Sequence, residues 1–125
     1  MTSRRKMPGV VLAAIFLPFL LTATGCRSYH VDTTVENQTG SVIKLLEVDY
    51  PYASFGADSL ADRADYHYRI AVQGAGPLKV QYTAADEKQE HITGPALAAG
   101  DEGSLQIVLL PGGKAKFFSH FTPHS

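Results

Sequence analysis

From Val31 onward, apolar side chains recur at every second position, and short runs of Gly, Pro, Asn and Asp interrupt them every few residues. Successive residues of a strand point to opposite faces of a sheet, so this alternation suits strands and does not suit helices. Val31, Thr33 and Val35 alternate with Asp32, Thr34 and Glu36 before the turn residues 37–40. Residues 41–50 predict a second strand. Its run from Ile43 to Leu46 breaks strict alternation, as a β-bulge or burial on both faces would. A third strand places Tyr66, Tyr68, Ile70 and Val72 on one face and His67, Arg69 and Ala71 on the other. Gly74-Ala75-Gly76-Pro77 ends it, and Leu78, Val80 and Tyr82 open the next. Asp86-Glu87-Lys88 marks a hairpin tip before a short, weak strand near His91-Ile92. After the turn residues 100–103, Leu105, Ile107 and Leu109 alternate strictly. Pro111-Gly112-Gly113 then leads into a last strand from Lys114 to Phe121.

About seven short strands divided by turns predict an all-β fold, a small antiparallel β-sandwich of immunoglobulin-like or transthyretin-like architecture, with an open barrel as the alternative. The only helical candidate is the stretch from Asp58 to Arg63, one turn inside a crossover. The sandwich contains no Trp and no Cys pair to pin its sheets, so the core must come from Val, Ile, Leu, Tyr and Phe.

The leader is of a different kind. Arg4-Arg5-Lys6 precedes an uncharged stretch from Met7 to Cys26, which ends in Leu21-Thr22-Ala23-Thr24-Gly25-Cys26. A basic segment, an apolar stretch and small residues before a cut site make a signal peptide. Small residues directly before a lone cysteine resemble the lipobox of bacterial lipoproteins, with Ala23 where that family usually has Leu. The resemblance implies cleavage between Gly25 and Cys26, a diacylglyceryl group on the Cys26 thiol and acylation of the new N-terminus. Two other readings of these residues stay open. One is an ordinary signal ending in Ala23-Thr24-Gly25; the other is an uncleaved helix spanning the membrane, against which Pro8 and Pro18 argue. The expected organisation is a signal peptide at 1–25, a short lipid-anchored tether at 26–30, a sandwich domain at 31–121 and a tail at 122–125. Four residues, 27–30, are a short leash, so the domain should lie close to its membrane. By the same resemblance, Arg27 in place of an aspartate after the cysteine leans toward the outer membrane, facing the periplasm.

Without the leader the chain carries 8 basic and 12 acidic residues, a charge of −4 with no basic stripe, and nucleic acid is not expected as a partner. The single cysteine excludes an intrachain disulfide and multi-cysteine metal sites. Five histidines raise the question of metal carriage. His120 and His124 on one strand would stand about 13 Å apart, too far to share an ion. His30, His67 and His91 are scattered, so surface histidines and no cofactor are expected. Ser119 and His120 are strand neighbours and face opposite ways, which rules them out as a nucleophile–base pair. The acidic pairs Asp86-Glu87 and Asp101-Glu102 suit solvated turns, and Asn37-Gln38-Thr39 suits a turn better than a glycosylation site.

The stretch from Asp49 to Gly56 stands out, with Tyr50, Tyr52 and Phe55 around Pro51. It predicts a loop of fixed shape, either a contact surface for a protein or glycan partner or a plug for the open end of the sandwich. Tyr50 and Phe55 are expected to be buried and Tyr52 exposed. The functional expectation is a lipid-anchored, non-enzymatic binding or scaffolding module, with membrane lipid held through acylated Cys26. A small periplasmic hydrolase or sugar-active enzyme and a histidine-based metal carrier are the alternatives.

Overall fold

The alternating segments form eight strands in the computed structural model, which describes residues 29–122. Residues 1–28, which include Gly25, Cys26 and Arg27, and residues 123–125, which include His124, lie outside the described residues, and with them the expected signal peptide and lipidation site. The strands are β1 (Val31–Asn37), β2 (Ile43–Tyr50), β3 (Ala53–Leu60), β4 (Asp65–Ile70), β5 (Gly76–Thr83), β6 (Gln89–Leu97), β7 (Gly103–Leu110) and β8 (Lys114–Phe121). One sheet has the order β4-β1-β7-β8 and the other β3-β2-β5-β6. In immunoglobulin constant-type sandwiches the first two strands share a sheet. Here β1 and β2 lie in different sheets, which leaves the transthyretin-like arrangement of the two expected. Three tight hairpins, β2/β3, β5/β6 and β7/β8, stay within a sheet, while the other connections cross between sheets. The last crossover brings β7 alongside β1 in parallel, with Val31 opposite Gly103 and Val35 opposite Ile107.

The core follows the alternation. Val31 and Val35 of β1, Leu78, Val80 and Tyr82 of β5, and Leu105, Ile107 and Leu109 of β7 all point between the sheets and are buried. Central strands with one solvated face give this clean pattern.

The irregular strand β2 carries the expected bulge. Its register with β5 slips between Lys44 and Glu47, and Leu45 takes φ 52° and stands 63% exposed. The extra residue lets both Ile43 and Leu46 point inward, three positions apart. Gly56 of β3 answers this bulge. A Cβ there would run into the Leu46 backbone carbonyl, so the close approach admits only glycine.

Three expectations change. The Asp58–Arg63 stretch is not a helical turn, because β3 runs through to Leu60. The weak strand near His91 is in fact β6, nine residues long and an edge strand, which accommodates Pro95 and a register slip opposite Pro77–Lys79. The stretch from Asp49 to Gly56 is a hairpin and not a free loop. Lys114 and Lys116 lie exposed on edge strand β8, where charge discourages pairing with other chains.

Candidate functional site

The two ends of the sandwich differ in chemistry. The chain enters where β1 begins, and the His30 carbonyl there accepts a hydrogen bond from the Gly103 amide. The β2/β3 hairpin and the β4–β5 and β6–β7 connections lie at this entry end, where the Gly100 amide donates to the Val72 carbonyl. Their exposed residues are Tyr52, Gln73, Ala75, Ala98 and Ala99, none of them charged. Two charged residues of the β6–β7 connection, Asp101 and Glu102, are half-buried, and Asp101 is turned to structural use, accepting the Ala98 amide at 2.9 Å. At the opposite end the connections expose Asp62, Arg63, Asp86, Glu87 and Lys88.

Tyr52 forms the tip of the entry-end hairpin. Tyr50 pairs with Ala53, which leaves Pro51 and Tyr52 as a two-residue connection. Proline at the first central position and φ 73° at the second are the signature of a type II turn, whose second position normally takes Gly or Asn. Tyr52 occupies it and remains 85% exposed. One edge of its ring lies against Gly74, so closely that a side chain at 74 would run into the ring. His30, Tyr50, Tyr52, Tyr68 and Arg69 line a groove of about 320 Å³ beside it. Arg69 is held there by Asp32, at 3.1 Å between Nε and Oδ1.

Phe55 sits on the other side of the hairpin and is 7% exposed. It stacks on Tyr68 with centroids 4.8 Å apart, on Tyr66 at 6.1 Å, and meets Tyr50 tilted at 6.4 Å. These strands, β3 and β4, are the edges of the two sheets, so the cluster closes the lateral seam and not the open end that was expected. The opposite seam is closed by Phe117 of β8 lying against Gly94 of β6. Phe55 is therefore a plug, Tyr52 is exposed as expected, and Tyr50 is half-buried instead of buried. Burial, and then the neighbouring Tyr68, push the Tyr50 phenol above its ordinary pKa.

On the outer face of the second sheet, Asp49, Lys79, Gln81 and His91 line a shallow groove of about 250 Å³. Among the described residues there is no cluster of three or more potential metal ligands. His67 bonds Thr34 at 2.9 Å on the outer face of the first sheet, whereas His91 lies on the second sheet. On the outer face of that second sheet, Glu47 and Asp49 form a carboxyl pair. The hydrogen bond from Asp49, its charge and some burial push Glu47 above its ordinary pKa, and Gln81 opposes the shift.

Asn37 is a structural centre that the sequence did not reveal. Fully buried at the opposite end, its amide donates to the carbonyls of Ser41 (2.8 Å), Leu60 (2.9 Å) and Ala61 (3.1 Å). Its carbonyl oxygen accepts the Thr39 amide and hydroxyl, at 3.0 and 2.7 Å. The turn reading of residues 37–40 is right, and the side chain is locked inside that turn.

No protein-family model matches the chain, and a search of curated proteins finds no match. Among solved structures, the NMR structure of a protein from Eubacterium rectale is similar, with a TM-score of 0.52 and 14% identity over 71% of this chain and 86% of that one. That likeness concerns the fold. Among the described residues, no helix is long and apolar enough to cross a membrane.

Proposed function

We propose that this chain is a lipid-anchored envelope protein whose sandwich is a non-enzymatic binding module, making contact at its entry end through Tyr52. The observation that carries this reading is an 85% exposed aromatic held at φ 73°, where the turn alone would favour glycine. Observed strain of this kind, with a one-sided contact on Gly74 as its packing, is an argument for function. A partner would meet Tyr52 and the edges of Tyr50 and Tyr68, while Phe55 stays inside. Lipidation at Cys26, cleavage after Gly25 and placement at the outer membrane rest on the lipobox-like Leu21-Thr22-Ala23-Thr24-Gly25-Cys26 and on Arg27. A hydrolytic reading would call for a perturbed carboxylate in a cleft, and Glu47 stands on an open sheet face.

The test is the Cys26→Ser variant of the full chain. It should lose labelling by a fatty-acid analogue and leave the membrane fraction, because several acyl chains anchor stably where one does not. Unchanged membrane retention would overturn the lipid anchor in favour of an uncleaved helix.

A further inference from the structure

The entry end is both the end from which the tether leaves and the end whose exposed connecting residues carry no charge. We infer that the entry end rests on the lipid headgroup layer of the anchoring membrane, with Tyr52 as its interfacial contact. This names the partner of the site proposed above and rests on the lipid-anchor reading.

Reach makes the first part of the case. His30 is fixed to the sandwich by the Gly103 amide, and it stands four residues after Cys26. Four residues span at most about 14 Å even when fully extended. The seven residues of β1 make the sandwich longer than that leash, about 23 Å from end to end. An acylated Cys26 therefore holds the entry end within about 14 Å of the lipid–water boundary and forbids the inverted orientation, in which the opposite end alone would face the membrane.

Chemistry makes the second part. A headgroup layer receives side chains with an apolar body and a polar tip, which is why tyrosine is enriched there. Tyr52 projects such a ring from the tip of the hairpin, with the uncharged Ala75, Ala98 and Ala99 exposed on the neighbouring connections. The charged opposite end, with Asp62, Arg63, Asp86, Glu87 and Lys88, suits water. The net negative domain, whose exposed Arg69 at this end is already paired with Asp32, favours a zwitterionic surface over an anionic one. The acyl chains supply the affinity, and Tyr52 sets the orientation.

The chain contains no tryptophan, so a single indole reports its own surroundings. Full-length Tyr52→Trp and, as a control at the opposite end, full-length Ala85→Trp are purified with their lipid and reconstituted into phosphatidylcholine vesicles carrying bromines high on the acyl chains. Both positions are exposed, so both variants should fold. The indole at position 52 should emit at shorter wavelength than in detergent-free water and lose most of its intensity to the bromines, while the indole at position 85 does neither. Acylated, vesicle-bound protein with equal, unquenched emission at both positions would overturn the inference and leave the anchor standing. An indole at position 52 shielded from an aqueous quencher yet not quenched by brominated lipid would assign the contact to another copy of the chain and overturn the inference as well. Absence of acyl mass on Cys26 would overturn the anchor and this inference together.

Discussion

Tyr52 and Phe55 lie three residues apart on one hairpin, and the structure assigns them opposite consequences when truncated. Phe55→Ala removes a ring that is 7% exposed and stacked on both Tyr66 and Tyr68. Truncating a buried phenylalanine costs about 3–5 kcal/mol. Each stacked pair accounts for about 0.5–1.5 kcal/mol within that figure and is not added to it. Tyr68 is 44% exposed and can relax into the space, which places the cost near the low end, about 3 kcal/mol. Tyr52→Ala removes a ring that touches Gly74 along one edge and is otherwise in water, and a surface change of that kind stays within about 0.5 kcal/mol. Urea unfolding of the detergent-solubilised full chain, followed by far-UV circular dichroism, measures both. The expected outcome is a large fall in midpoint for Phe55→Ala at unchanged slope and almost none for Tyr52→Ala. Comparable losses for the two variants would refute the assignment of plug and tip.

Asn37→Ala should destabilise by roughly 3–4 kcal/mol in the same assay, since two amide protons and one carbonyl lose buried partners at about 1 kcal/mol per bond. Asn37→Asp should be destabilised at neutral pH, where a carboxylate cannot donate, and should recover part of the loss on acidification. Glu47 should titrate above its ordinary value of 4.5 in side-chain NMR, and Asp49→Asn should bring it down by removing the two largest causes. Because the folded-state pKa of Glu47 is raised, its contribution to stability is full at acid pH and falls away as pH rises from the ordinary carboxyl range through the raised value. Asp49→Asn should flatten that fall.

Among the legible strands, which include the edge strands β4 and β8, the three with the strictest alternation share one physical property. β1, β5 and β7 each lie inside a sheet with one buried face, so period two survives undisturbed in their sequences. β3 was hidden because the irregularity of β2 passes into it. Phe55 and Ala57 face inward in one phase, and then Leu60, opposite Ile43, faces inward in the other. With Gly56, Asp58 and Ser59 between them, the polar run imitates the start of a helix. β6 was shortened in the reading by Gly94-Pro95, which a central strand would not hold but an edge strand with a slipped register does. Asn37 was noticed only as a turn residue, because the carbonyls that engage it at Leu60 and Ala61 come from more than 20 positions away. The exposure of Tyr52 was legible from Pro51 and the turn. The stacking of Phe55 on Tyr66 and Tyr68 joins two sheets and has no local signal.

Strain separates the aromatic tip from its surroundings. Leu45, Tyr52, Arg63 and Glu87 are the non-glycine residues with positive φ among the described residues. A left-handed backbone costs an L-residue about 1–2 kcal/mol, so each occurrence needs a reason. Leu45 has one within the fold, because its bulge lets Ile43 and Leu46 share the core. Arg63 and Glu87 stand at the charged end, in connections where a solvated polar side chain is at home. The Arg63 amide is also tied to the Asn37 carbonyl at 2.7 Å, and the Glu87 amide to the Ala84 carbonyl at 2.9 Å. Tyr52 differs from all three. Its turn would form with glycine or asparagine, and its ring adds only a one-sided contact with Gly74. The interior does not account for a large aromatic in that position. What remains is whatever meets the entry end from outside, and on the anchor proposed at Cys26, four residues before His30, the membrane surface is within its reach.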